Sequence, residues 1–210
     1  SFRQPLPAQF KADMATAYGL GSQPAKPYEL VQPAPAGSLA ASGDDMGRFM
    51  IAHLQKGQFG ANRILQPQTI AQMYAPQKQY VPPLNGMALG FYHEDRNGHV
   101  IVGHGGDLVA FHSDLHLLPN DNVGIFISMN SAGKGPAVST IREALLQDFM
   151  DRYYPAAAAD LPPAATGKDH GPLLAGTYWS SRRVNTGFLR ALTLIGQSTI
   201  TVKADGTMTV

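Results

Sequence analysis

The stretch Val102-Gly-His-Gly-Gly-Asp-Leu-Val-Ala-Phe-His-Ser-Asp-Leu-His concentrates the groups of this chain that could do chemistry. His104 follows the end of a predicted strand. The two glycines behind it leave the backbone open to close approach by a ligand or another chain. The same pair also fits a plain bulge or bend at a sheet edge. A few residues on, His112, Asp114 and His116 alternate, so in a strand they share one face. Such a set can bind zinc. It equally makes the polar, solvent-facing side of an antiparallel strand, with Phe111, Ser113, Leu115 and Leu117 on the other side. A metal hydrolase would further need an open coordination position and supporting partners. Nothing in the sequence indicates either, so no metal and no cofactor is expected.

A serine nucleophile needs a base beside its hydroxyl, and a helical turn is what brings a Lys three residues on into that place. Ser131-Ala-Gly-Lys134 has the letters but lies in a glycine-rich turn after a predicted strand, so it is expected to be a loop. Ser128-Met-Asn130 closes a buried-looking strand and is expected to be structural. His53 is expected to be a core or boundary residue, and His93, His99 and His170 show no partner pattern. The chain has no Cys, which excludes disulfides, thiolate metal sites and a cysteine nucleophile.

The elements that would position these residues can be read from local signals. Residues 1–41, punctuated by Pro and Gly, predict extended coil with a short strand near 15–20. Ser42, with Asp45 three residues later, is a capping-box start. Met46, Phe49, Met50, His53 and Leu54 then mark an amphipathic helix that Gly57 stops. Pro67 opens a second helix carrying Ile70, Met73 and Tyr74 inward. The period then becomes that of strands, over 88–93, 99–103, 109–118 and 123–129, with turns at 96–98 and 119–122. Pro136 opens the clearest helix, with Val138, Ile141, Leu145 and Phe149 on one face as far as Tyr154-Pro155. Residues 155–172 have a linker's composition. Beyond them 176–179, 189–196, 198–203 and 207–210 read as strands, with a hairpin turn at 204–206.

Composition narrows the function classes. Sixteen Lys and Arg against fifteen Asp and Glu give a net charge of +1 without runs of either sign. A nucleic acid or an anionic membrane would leave a basic footprint, so no nucleic-acid partner is expected. Charged residues are 15% of the chain, against a usual ~25%, and 22 Gly and 16 Pro make it loop-rich. Ser1-Phe-Arg-Gln-Pro is neither a Met start nor a signal peptide, and the last predicted strand stops just past its turn. The chain is expected to be part of a longer protein and to expose apolar surface where the remainder would sit.

Met87-Ala-Leu-Gly-Phe, His104-Gly-Gly, Phe111-His-Ser, Pro119 and Met129-Asn130, in this order and spacing, resemble the carboxyl half of the penicillin-recognising serine hydrolases. That family includes class C β-lactamases, D-alanyl-D-alanine carboxypeptidases and related esterases. The run from Pro35 to Phe49 is similar to the segment that precedes a helix there. The resemblance covers roughly residues 1–154 and implies an incomplete β-lactamase/transpeptidase-like α+β fold, an antiparallel sheet with helices packed on it. On this reading 155–172 is a linker and 173–210 the start of a small β-barrel-like accessory module.

The family's site combines a Ser-x-x-Lys helix start, a Tyr-x-Asn or Ser-x-Asn loop and a Lys-Thr-Gly or His-x-Gly triplet on an edge strand. Only the triplet stands here in its expected context. The resemblance implies that His104 supports proton traffic or orients a substrate carboxylate, and that Gly105 and Gly106 complete the triplet, with Gly106 leaving room for the acyl group. It makes the Asp107 amide one of two oxyanion-hole donors, whose loss typically costs about 3 kcal/mol. No Tyr-x-Asn occurs in the chain, which places the nucleophile and base upstream of Ser1. The implied substrate is a β-lactam, a D-alanyl peptide or a small ester, with the ester favoured because His-Gly-Gly replaces Lys-Thr-Gly. The implied location is the periplasm, the cell envelope or the exterior, and the missing amino-terminal part is the expected partner. The competing reading is a non-catalytic binding or scaffold protein of the same fold, recognising peptidoglycan-like ligands without turnover.

Overall fold

The computed structural model describes residues 1–32, 34–77, 84–156, 167–180, 183–184, 186–203 and 207–209. The chain divides into two compact units, Ser1–Ala157 and Ala158–Val210.

The first unit opens with a 3-10 segment over Ala8–Asp13, a two-residue ladder of β1 (Ala17–Tyr18) and β2 (Ala25–Lys26), and a short helix α1 (Ala34–Gly37). Helix α2 (Gly43–Leu54) starts as its sequence requires. The Asp45 N–H donates to Ser42 Oγ, and the Asp45 carboxylate accepts from the Ser42 N–H, which closes a reciprocal cap. Gly57 (φ +89°) ends that segment, where a Cβ would collide with the backbone of Leu65. A hairpin of β3 (Gln58–Phe59) and β4 (Asn62–Arg63) leads to helix α3 (Pro67–Tyr74), with Pro at its first turn and Ile70 buried.

The centre is a four-stranded antiparallel sheet in the order β5 (Tyr92–His93), β6 (Val102–Asp107), β7 (His112–Leu118), β8 (Val123–Met129). Helix α4 (Ala137–Tyr153) follows. Alternation along the strands sends side chains to two faces. On one, Val102, Leu115 and Leu117 form a core with Ala88 and Phe91, against which Met46, Met50 and Leu54 of α2 and Met73 and Tyr74 of α3 pack. On the other, Ile101 and Leu118 meet Met150 of α4, with Leu146, Phe149, Val123 and Tyr154 around them.

Three expectations change here. The His-Gly-Gly triplet lies inside β6 rather than at a strand end, because the chain turns at 108–111 and not near 104–108. Those residues, Leu-Val-Ala-Phe, include no turn former. The turn closes through a Leu108 N–H to Phe111 O bond (2.8 Å), and Glu29, far away in sequence, accepts the Val109 N–H (2.9 Å). Helix α4 is rotated from its expected face. Ile141 and Leu145 are exposed while Val138 and Met150 are buried, so Arg142 falls on the buried stripe. The expected strand at 88–93 is reduced to its last two residues.

In the second unit, helix α5 (Gly167–Leu174) occupies the end of the expected linker, whose residues 157–166 lie outside the described ones. A three-stranded sheet runs β11 (Met208–Thr209), β10 (Gln197–Val202), β9 (Gly176–Trp179). Residues 188–194 form a 3-10 helix where a strand was expected. The expected turn at 204–206 lies outside the described residues. In the first unit, large apolar side chains such as Leu30, Leu39, Phe49 and Ile51 reach solvent. Among the described residues no helix is long and apolar enough to cross a membrane.

Candidate active-site edge

The direction of the backbone groups along β6 follows from two hydrogen bonds. Glu94 N–H donates to Ile101 O, and Leu108 N–H donates to Phe111 O, both at 2.8 Å. In an antiparallel ladder a residue turns its N–H and C=O toward the same neighbour, and successive residues alternate. The β6–β7 register runs without a bulge from Val102↔Leu117 to Asp107↔His112. Even-numbered residues of β6 therefore face β7, and odd-numbered ones face the β5 side. There, β5 pairs only with Val102 and Gly103. The amides of Gly105 and Asp107 consequently point to an edge that no strand among the described residues covers.

His104 curls over that edge. Its Nδ1 lies 2.6 Å from Gly105 O; because a carbonyl only accepts, Nδ1 carries the proton in this bond. Nε2 faces the Tyr92 hydroxyl at 3.3 Å, and the two rings stack at 4.7 Å. Gly106 has nothing within 4 Å of where a Cβ would stand, so the α2-side face of the strand is open just beyond His104. The geometry offers a backbone donor, a small residue and an imidazole side by side, which suits an extended ligand with a carbonyl group.

The opposite face of the same residues is ionic. A Cβ on Gly105 would stand 2.6 Å from Asp114 Oδ1, and one on Gly103 would overlap Glu94 Oε2. A side chain at Gly103 would also meet the backbone Leu115 O at 2.8 Å, and one at Gly105 would displace the Asp114 carboxylate. Asp107 accepts from His112 Nδ1 at 2.7 Å and from Arg142 at 3.0 and 3.2 Å. Arg142 also donates from Nη1 to Ser113 O at 3.0 Å, and its Nε lies 3.5 Å from Asp114 Oδ2. His116 Nδ1 pairs with Glu94 at 2.7 Å. Partial burial opposes the ionisation of Asp107, but the hydrogen bonds from His112 and Arg142 outweigh it and hold its carboxyl below the ordinary aspartate range. Burial pushes Asp114 up, and the Arg142 charge only partly offsets it.

His112, Asp114 and His116 do share one face, yet that face lies under α4 instead of meeting solvent. Each is engaged by a separate ionic partner, and the described residues include no group of side chains arranged to hold a metal ion. Ser131 and Lys134 lie in the loop between β8 and α4, where Ser131 Oγ donates to Gly19 O (3.2 Å). Ser128 Oγ pairs with Ser113 Oγ (2.8 Å), and the Asn130 side chain donates to Thr16 O (2.7 Å). His53 is buried and bonded to the Tyr74 hydroxyl (3.0 Å); desolvation lowers the imidazole and raises the phenol. His93 and His99, which showed no pattern in sequence, bond Tyr74 O and Asp121. Sequence reasoning missed Tyr92, Glu94 and Arg142. Only Arg142 left a signal, a charge set between apolar helix positions.

An antiparallel sheet with helices on both faces, with His-Gly-Gly on the length of β6 beyond its pairing to β5, fits an α+β fold of the β-lactamase/transpeptidase type. The family model described as Beta-lactamase matches residues 3–149, and the chain belongs to that family. Among solved structures the chain is similar to SurE, with 20% identity and a TM-score of 0.50 over 92% of this chain and 42% of that one. It is also similar to the octameric penicillin-binding protein homologue from Pyrococcus abyssi, with 17% identity and a TM-score of 0.40 over 79% and 33% of the two chains. A structure of SurE with D-Leu matches at 20% identity and a TM-score of 0.34, over 69% and 30%. The chain thus spans between about a third and two-fifths of the first two solved chains. No curated protein matches it.

Proposed function

We propose that this chain supplies the oxyanion side of a serine hydrolase active site, with the nucleophile and its base outside residues 1–210. The observation that carries the proposal is the Asp107 amide, directed at an open strand edge beside His104 and the unobstructed Gly106. A substrate carbonyl lying along β6 would point its oxygen at that amide. As the serine oxygen bonds to the carbonyl carbon, negative charge grows on the oxygen, and a fixed donor stabilises it. The serine proton passes to the base and then to the leaving group. Water next attacks the acyl-serine, its proton returning through the base, and releases the acid.

On this reading His104 orients a substrate carboxylate or passes a proton, a role supported by family likeness and by its position over the strand edge. Family likeness supports a β-lactam, a D-alanyl peptide or a small ester as substrate. The His-Gly-Gly triplet in place of Lys-Thr-Gly favours the ester, and family likeness likewise supports an envelope or extracellular site of action.

The test is fluorophosphonate labelling of the longer protein that contains this chain, followed by peptide mapping. One labelled serine is expected, outside residues 1–210, and the 210-residue chain alone should stay unlabelled. Label on Ser131 or on any other serine of this chain would overturn the assignment. A parent without a reactive serine would instead favour a binding protein that uses the same edge to hold an extended peptide.

A further inference from the structure

We propose that Arg142 is a positioning residue for this edge: it braces residues 105–107 from beneath and fixes the direction of the Asp107 amide. The inference rests on the acyl-transfer reading for its catalytic consequence, but its structural part stands on α4 and the β6–β7 hairpin alone.

Arg142 projects from the buried stripe of α4, with its side chain 12% exposed. Its guanidinium hydrogen-bonds two points of the hairpin at once, the Asp107 carboxylate on β6 and Ser113 O on β7, and its Nε faces the Asp114 carboxylate at 3.5 Å without a hydrogen bond. A planar fork with several donors can do this, and a Lys point charge cannot. Gly105 lies above it: a Cβ there would stand 3.7 Å from Arg142 Nη1 and 2.6 Å from Asp114 Oδ1. His112 Nδ1 bonds Asp107 Oδ1, which Arg142 Nη2 also approaches at 3.0 Å. The residue whose amide faces the ligand edge is thus held through its side chain by two partners.

Stability alone does not call for this arrangement. Val138, Leu146, Phe149 and Met150 supply apolar groups along the same helix face, and replacing a buried ionic group by an apolar one is often neutral or stabilising. What the apolar alternative would lose is a fixed link between α4 and a strand segment that has no strand neighbour on its outer side among the described residues and carries two successive glycines. Such a segment is otherwise free to twist, and a donor misplaced by about 1 Å can cost about 100-fold in rate.

The experiment compares Arg142→Lys and Arg142→Met with the parent sequence in two settings. In the 210-residue chain, amide 15N relaxation reads the order of residues 105–107, with β8 as internal reference. The wild type should show order parameters of about 0.85 throughout, and both variants should fall below about 0.6 at 105–107 while β8 is unchanged. In the longer protein, kcat on an activated acetyl ester should drop at least about tenfold with KM within about twofold. The Lys variant should keep the wild-type melting temperature and still show the loss. Should Arg142→Met not fold, the Lys variant decides. Unchanged order at 105–107 would overturn the brace. Loosened order with unchanged kcat would overturn its role in catalysis. A wild-type parent inert toward acyl substrates, with loosened variants, would sink the acyl-transfer reading while supporting the brace.

Discussion

The two faces of the four-stranded sheet are built differently. The face under α2 is apolar along β6 and β7, where Val102, Leu115 and Leu117 continue into Met46, Met50 and Leu54. The face under α4 is apolar only at one end, at Ile101, Leu118 and Met150. At its other end Asp107, His112, Asp114 and Arg142 form an ionic layer beneath the glycine pair. Burial drives both helices onto the sheet, at about 25 cal/mol per Å² of apolar surface removed from water. The α2 side buries a polar pair, His53 with Tyr74, whereas the α4 side sets its ionic layer under the open edge. The difference separates what holds the sheet together from what aims one strand of it.

The largest effects should come from the apolar parts of both faces. Leu117→Ala and Leu118→Ala each remove a fully buried side chain, and each should cost about 2–5 kcal/mol in urea melts. A loss under about 1 kcal/mol for Leu118→Ala would mean that the α4 face is no second core.

Smaller effects should separate the faces by pH. The folded Asp107 pKa lies below its unfolded value, so the stability it contributes is present above about pH 4 and lost as pH falls through the lowered folded value. Asp114 has the opposite sign: its folded pKa is raised, so its contribution is present at low pH and lost as pH rises through the raised value. Relative to wild type, Asp107→Asn should therefore flatten the loss of stability on acidification between about pH 5 and 3, and Asp114→Asn should steepen it. Under α2, burial lowers His53 below the ordinary histidine value of about 6.5. Its contribution is present above that value and lost as pH falls through the lowered one, so His53→Gln should act in that higher window. Equal slopes for the two Asp variants would break the contrast drawn within the α4 face.

Local chemistry made much of the fold legible in the sequence. The Ser42 cap, Pro67, and the turns at Asn97-Gly98 and Asn122, all with positive φ, announce themselves within a few residues. What was not legible depends on distant partners. The turn at 108–111 has no turn former and is held by Glu29. The α4 stripe defeated apolar periodicity because a charged residue belongs to it. Along β6, the two glycines after His104 announced a backbone that lies open at Gly106. Tyr92 left no signal, since strand pairing brings it beside His104, and Arg142 showed only as a charge between apolar helix positions, since helix packing brings it to Gly105.

The central claim is that the open edge of β6 faces the reacting carbonyl. A crystal structure of the longer protein with its reactive serine phosphonylated tests it most directly. The account predicts a phosphonyl oxygen about 2.7–3.1 Å from the Asp107 amide nitrogen, with the adduct lying over Gly106. An adduct whose oxygen is held elsewhere, with the Asp107 amide bonded to another strand, would contradict it.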